Sequence, residues 1–339
     1  MKRIFLSTTS NGIGRAEEKL HGHWSIDFLL TDHDIMCLSS DPLNANVVYA
    51  GTRGSGILRS KDCGRTWQRI GPDGQIVKSI AVSRTARGVV YAGLKPPLLM
   101  VSRDGGADWA EVETFQKVRA GWWRSPAESD LGAYIQSVAL SPTDPNIIIV
   151  GIEVGAVLRT SDGGKTWQGH RPGALRDCHT LVFHASNGDW VYEAGGTGAG
   201  ASFSRDGGRT WRQPGRGLDR HYGWACAADP ARPEVWYVSA SPTFSWSHPF
   251  QPPAHVDGRA SAYIFRSAGG ASWEKLGGGL PQPLNYMPYG LLTDPRMPGH
   301  LYVGLSNGDI WHSVNYGDAW EQLPFNLRSI HRTLIMLVA

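Results

Sequence analysis

The sequence predicts an all-β chain folded as a seven-bladed β-propeller, each blade a four-stranded antiparallel sheet. Three observations predict it. First, a short motif ending in tryptophan recurs along the 339 residues: RSKDCGRTW to Trp67, VSRDGGADW to Trp109, RTSDGGKTW to Trp167 and FSRDGGRTW to Trp211, with degraded copies FRSAGGASW to Trp273 and HSVNYGDAW to Trp320. Second, these tryptophans are 42, 58, 44, 62 and 47 residues apart, a repeat of near-constant length with two longer intervals. Third, 19 residues follow Trp320 and 24 run from the first residue through Trp24, together about one repeat.

Each unit has the same parts in the same order. In the third, IQSVALSPTDPN reads as a strand and a Pro-Asp turn, IIIVG as a second strand and GAVLRT as a third; the motif follows, then WQGH as a fourth strand. The second strand elsewhere reads VVYAG twice, then WVYEAG, VWYVS and LYVG, β-branched and aromatic runs bounded by turn residues. In the first strand Ser137 and Ala139 alternate with Val138 and Leu140, which predicts a sheet covered on both faces, as in a propeller blade. The N-terminal RIFLSTTSNGIGRA mimics VVYAGTRGSGILRS, and Trp24 stands 43 residues before Trp67, so the N-terminus supplies a seventh unit. It lacks a first strand. RTLIMLV at the C-terminus is expected to provide it, closing the ring without an open edge. Residues 1–339 therefore read as a single propeller domain, with insertions at about 112–134 and 241–262.

Charge and composition exclude some functions. With 33 basic against 30 acidic residues the net charge is +3, and no basic run appears, so neither nucleic acid nor a membrane surface is an expected partner. No apolar stretch is long enough to span a bilayer. MKRIFLSTTSNGIG makes a poor signal peptide and a good strand. Cys37, Cys63, Cys178 and Cys226 lack CxxC or framework spacing, which predicts free thiols and a cytoplasmic location.

The motif itself is read as structural. Its acid is present four times and replaced by Ala268 and Asn315 in the other copies, a pattern expected of a turn needed once per unit rather than of a catalytic group. Asp162 is expected to accept hydrogen bonds within the turn, a glycine to supply positive φ, and Trp167 to fill the gap between sheets. The pattern S-x-D-x-G-x-x-W resembles the Asp-box, or BNR repeat, and the resemblance covers nearly the whole chain. Asp-box propellers include sialidases, xyloglucan-degrading endoglucanases, sortilin-type receptors and photosystem II assembly factors, so the resemblance implies the fold and no single activity. Sialidases are the least similar beyond the box: they use an arginine triad, a Tyr–Glu pair and six blades, and KRIFL lacks their Arg-Ile-Pro stretch. The endoglucanases place a cleft between two propellers, whereas one is predicted here. The assembly factors are closest in size and blade count.

Strand direction places the function. The start of each innermost strand shares a face with the loop between the second and third strands, and the motif turns lie on the other. Both insertions fall on the first face. Aligned entries to the innermost strands put Asp34, Lys78, Gln136, His179, Tyr222, Met287 and His331 at equivalent positions near the channel mouth, with His33, Asp177, Arg220, His221, Tyr286 and Arg332 beside them and Arg53, Lys95 and Glu153 on loops. Histidine, acid, arginine and tyrosine converging on one concavity are what a polar-ligand site requires. His179 or His221 beside Asp177 or Glu153 would serve as a catalytic base. Trp122, Trp123 and Trp246 on the insertions offer faces for sugar rings. No cofactor is expected. Dispersed imidazoles of His33, His179, His221 and His331 leave a divalent metal at the mouth open as an alternative, although no pair has local ligand spacing. The expected function is binding of a small polar, carbohydrate-like ligand at this funnel, with glycoside hydrolysis or elimination as its chemistry. The alternative is a non-catalytic scaffold or assembly factor presenting the same face to a protein.

Overall fold

Every repeat forms an antiparallel sheet, and seven sheets follow one another around a ring. The structure, a computed structural model, describes residues 2–118, 121–127, 129–213, 215–243, 253–269 and 272–338. From the channel outward, the first blade comprises Ile35–Asp41, Asn44–Thr52, Ile57–Ser60 and Gln68–Gly71. The innermost strands of the next five blades are Ile76–Val82, Ile135–Leu140, Cys178–Phe183, Tyr222–Ala228 and Pro288–Thr293. In the third and fourth blades the outermost strand shrinks to single bridges, Arg159 to Gln168 and Phe203 to Arg212. The segments that follow, QGHRP and RQPG, are rich in strand breakers.

The seventh blade is built from both ends of the chain. Leu334–Val338 is its innermost strand and pairs antiparallel with Arg3–Thr8, Arg3 opposite Val338 and Ser7 opposite Leu334. Ile13–Glu18 and Trp24–Leu29 complete it. Side chains seal the join. Leu337 packs in one core cluster with Ile4, Leu6 and Ile13. The Thr8 hydroxyl accepts the N–H groups of Arg332 and Thr333, both at 3.0 Å.

The motif turns satisfy themselves locally. Asp162 accepts the Thr166 N–H at 2.9 Å and the hydroxyls of Thr166 and Thr160 at 2.6 and 2.7 Å. Asp62, Asp104 and Asp206 repeat the arrangement, and the Asn315 amide oxygen takes the same place, accepting the Ala319 N–H at 2.9 Å. The chain turns at Gly164 with φ +90°, a conformation that a Cβ penalises. Trp67, Trp109, Trp211 and Trp320 donate their indole N–H back to the turn glycine. Trp167 instead donates to the Thr114 hydroxyl at 3.3 Å, because the insertion after the second blade brings Thr114 and Phe115 against it.

An inter-blade link accompanies these turns that the sequence reading did not single out. Arg59, Arg159 and Arg266 stand one residue before the motif's Ser or Thr, and Arg15 lies on the third strand of the seventh blade. Each reaches a turn carbonyl of the following blade: Gly105 at 2.6 Å, Gly207 at 2.7 Å, Tyr316 at 3.0 Å and Cys63 at 3.0 Å, respectively. Such charge-assisted bonds are worth about 1.5–3 kcal/mol where buried. Arg15 is fully buried and pairs with Glu17 at 2.8 Å.

Deleting residues 334–339 removes the closing strand, exposes the Arg3–Thr8 edge and strips Leu334 and Leu337 from the core. Circular-dichroism melting should show the midpoint falling by about 10 °C or more, or cooperativity lost. An unchanged midpoint would mean that the ring does not depend on this closure.

Asp162 makes a second, pH-dependent prediction. The Thr166 hydroxyl and N–H hold its carboxyl down to about 2. A carboxylate that ionises more readily when folded contributes its full stability above pH ~4 and loses it as the pH falls towards its folded value. Asp162→Asn should therefore lose less stability than the parent between pH 4 and pH 2 in urea titrations. Equal losses would remove this turn from the acid response.

Candidate functional site

The innermost strands share an irregularity that builds the channel wall. In six blades the pairing register shifts near the start of this strand, between Ile35 and Cys37, Val77 and Ser79, Ile135 and Ser137, Cys178 and Thr180, Gly223 and Cys226, and Pro288 and Gly290. One extra residue interrupts the ladder each time: Met36, Lys78, Gln136, His179, Trp224 (skipped together with Ala225) and Tyr289. Arg332 holds the same place in the seventh blade, because His331 donates to the Thr8 carbonyl and Thr8 to the Thr333 carbonyl across it. A β-bulge re-aims its extra side chain. All seven of these residues line one central cavity of about 290 Å³, near the lower limit of small-molecule sites, about 300–1,000 Å³.

Three polar groups converge beside His179. Glu153 opens the loop after the second strand of the third blade, and Asp177 immediately precedes the innermost strand of the fourth. Donor atoms of Glu153, Asp177 and His179 lie within 4.8 Å of one another, and all three residues are buried. His179 Nδ1 donates to the Gly223 carbonyl at 2.7 Å, since a carbonyl oxygen only accepts. Its Nε2 is 3.6 Å from Asp177 Oδ1, too far for a hydrogen bond, and that oxygen has no hydrogen-bond partner. Gly196 presses so closely on Asp177 Oδ2 and the His179 ring that a Cβ there would collide with both.

Burial, reinforced by the neighbouring Asp177, pushes the Glu153 carboxyl well above the usual carboxylate range; Lys78, Arg332 and a hydrogen bond from Tyr134 pull it the other way. The Lys78 ammonium lies 4.1 Å from the centre of the Tyr134 ring. Aromatic rings pack against the imidazole, Trp224 at 4.5 Å and Tyr222 at 5.0 Å from the His179 ring. His255, carried on the insertion of the fifth blade, hydrogen-bonds the Tyr222 hydroxyl at 2.6 Å and the Tyr289 hydroxyl at 2.7 Å.

The structure thus brings together His179, Asp177 and Glu153, sets Lys78 beside them and packs Tyr222 against the His179 ring. Other residues expected at the site lie elsewhere. His221 turns aside and donates to the Leu218 carbonyl at 2.9 Å. His33 pairs with Asp32 at 2.7 Å, and Asp34 with Arg53 at 2.7 Å, on the outer rim. Tyr286 packs against a core cluster. His331 is exposed, one residue before Arg332 of the ring. Trp123 is buried, and Trp122 is exposed with the Arg176 guanidinium 5.3 Å from its ring. Trp246 lies outside the described residues. The imidazoles of His33, His179, His221 and His331 do not gather; among the described residues, only Glu153, Asp177 and His179 form a group of metal-ligating type. Sequence reasoning missed Met36, Trp224, Tyr289, Tyr134 and His255. A bulge shifts the ring position by one or two residues and leaves no mark on residue type.

Comparison with known proteins supports the architecture. No family model matches the chain. A xyloglucanase from a Paenibacillus species is 24% identical over 294 residues, covering 76% of this chain and 26% of that protein. The chain therefore spans about a quarter of the length of the curated relative it matches. Among solved structures, an ancestral GH74 enzyme superposes with a TM-score of 0.65 at 21% identity over 85% of this chain and 38% of its own. YCF48 bound to a D1 peptide superposes with a TM-score of 0.56 at 16% identity over 86% and 80%. At these identities the likeness shows the β-propeller fold.

Glu193, behind the site, offers a check on its buried electrostatics. It is fully buried, with Oε2 accepting the Leu175 N–H at 2.9 Å and Oε1 without a hydrogen-bond partner. Burial pushes its carboxyl well above the usual range. Folded protein then holds a proton that the unfolded chain releases above pH ~4.3, so this group loses stability as the pH rises. Glu193→Gln should melt above the parent at pH 8, and the gain should vanish at pH 4. A variant less stable than the parent at pH 8 would contradict the raised value.

Proposed function

We propose that this chain binds a small polar, carbohydrate-like ligand at the mouth of its central channel. The observation that carries the reading is the buried Glu153, Asp177 and His179 cluster, with an Asp177 oxygen left unpaired where the ring of bulged residues opens. Orphaned buried carboxylate oxygens are costly and call for a partner. Carboxylates beside Trp224 and Tyr222 are the usual means of holding a sugar, through its hydroxyls and through the apolar face of its ring. The likeness to a xyloglucanase supports a carbohydrate, and the S-x-D-x-G-x-x-W turns support membership of the Asp-box propellers. Glu153 and Asp177 are the two carboxyl groups that glycosidic hydrolysis or elimination would use here.

A second reading rests on a different surface. Trp122 and Leu131 are 53% and 52% exposed on the insertion that borders the same face. Together with the peptide-bound YCF48 neighbour, they support a scaffold that docks a protein.

One set of variants separates the two. Titration calorimetry with oligosaccharides, together with reducing-sugar assays, should show Glu153→Gln and Asp177→Asn weakening binding by about tenfold or more, one lost specific interaction of about 1.4 kcal/mol. Trp122→Ala should bind as the parent does. Silent carboxyl variants, with a protein partner lost from Trp122→Ala, would replace the sugar reading with the scaffold.

A further inference from the structure

We infer that Glu153, Asp177 and His179 form a binding site for one divalent first-row transition-metal cation, Mn²⁺ or Zn²⁺. Geometry carries the inference. His179 gives its Nδ1 proton to the Gly223 carbonyl, and in the tautomer which that bond selects the Nε2 lone pair is aimed at Asp177 Oδ1, 3.6 Å away. Two acceptors face each other across that gap, and the Asp177 oxygen has no hydrogen-bond partner. Asp177 is 8% exposed and His179 is 5% exposed, so bulk water does not freely satisfy them. A cation between the two resolves the opposition.

The surroundings fit a ligand set. The backbone carbonyl on Nδ1 is the outer partner that commonly fixes the tautomer and ring direction of a metal-bound histidine. Gly196, just past the second strand of the blade, leaves no room for a Cβ beside Asp177 Oδ2 and the imidazole, which holds both close to the backbone. Glu153 brings the third donor within 4.8 Å. Ligand bonds of about 2.0–2.2 Å set donors roughly 3–4 Å apart, so closing the set takes a shift of about an ångström.

Charge and donor type choose among cations. Lys78 and Arg332 act on Glu153 and offset part of the negative charge there. Mg²⁺ and Ca²⁺, which bind almost wholly through oxygen donors and net negative charge, gain little there. One imidazole and two carboxyl groups suit a first-row transition metal, whose nitrogen bond adds affinity that does not depend on net charge. His179 also lines the channel cavity, from which ligand oxygens would complete the coordination of a bound metal. The test uses metal alone, so its outcome does not depend on whether the protein binds a sugar.

Protein stripped with EDTA and dialysed would be titrated with MnCl₂ by electron paramagnetic resonance and with ZnCl₂ by calorimetry. One saturable site per chain is expected, with the melting temperature rising on loading. Asp177→Asn and His179→Gln should each bind at least about 100-fold more weakly. If either variant fails to fold by circular dichroism, the other carries the test, with Glu153→Gln as a third. No saturable uptake by the parent up to about 1 mM metal would overturn the site. Parental affinity in the folded variants would do the same. Saturable Mg²⁺ or Ca²⁺ binding without Mn²⁺ or Zn²⁺ would overturn the assigned class of metal.

Discussion

The pairing of Arg3–Thr8 with Leu334–Val338 is the constraint on which the rest of the structure depends. Each blade is apolar on both faces and stays buried only if a neighbour covers each side. A ring with a gap would leave two blades half-bare and a strand edge open. Closure also sets the spacing of the seven innermost strands around one axis, and the channel exists only because that spacing is fixed. The arginines of alternate blades tighten the same ring, each holding a turn carbonyl of the blade that follows.

Two kinds of carboxylate divide the molecule. On the motif face, Asp62, Asp104, Asp162 and Asp206 find donors within their own turns, and Asp62 and Asp162 are held down to about 2. Near the channel mouth, Glu153 is pushed up by burial and Asp177 keeps an oxygen without a hydrogen bond. The contrast follows from local geometry. A turn offers several N–H groups to one side chain, whereas the strand entries spend theirs on the ladder. Satisfied acids mark the turns of the scaffold here, and buried acids with an unpaired oxygen, Asp177 and Glu193, both belong to the fourth blade.

The fold was legible in the sequence because the motif recurs at a fixed spacing and each copy does the same local work. Closure was legible because the two end segments add up to one repeat. Glu153, Asp177 and His179 were legible as polar residues at strand entries and loops on one face. Their assembly was not, because it depends on the bulges. Alternation along a strand tells inside from outside only while the period of two holds. One extra residue breaks it, and so the ring takes Met36, Trp224, Tyr289 and Arg332 where the alignment pointed to Asp34, Tyr222, Met287 and His331. His255 reached the site from an insertion whose path no local pattern specifies. The arginine links escaped notice because a lone arginine before a turn has no distinctive spacing until the next blade stands beside it.

A residue held out of the ladder contributes little to strand pairing, so its side chain can change without disturbing the register. The seven bulged positions are geometrically equivalent, yet they hold seven different residue types: Met36, Lys78, Gln136, His179, Trp224, Tyr289 and Arg332. Such positions can be rewritten one at a time while the sheets behind them stay as they are. The bulge thereby separates what lines the channel from what keeps the molecule folded. The chemistry of the bore is thus spelled out by seven independent letters on a common frame.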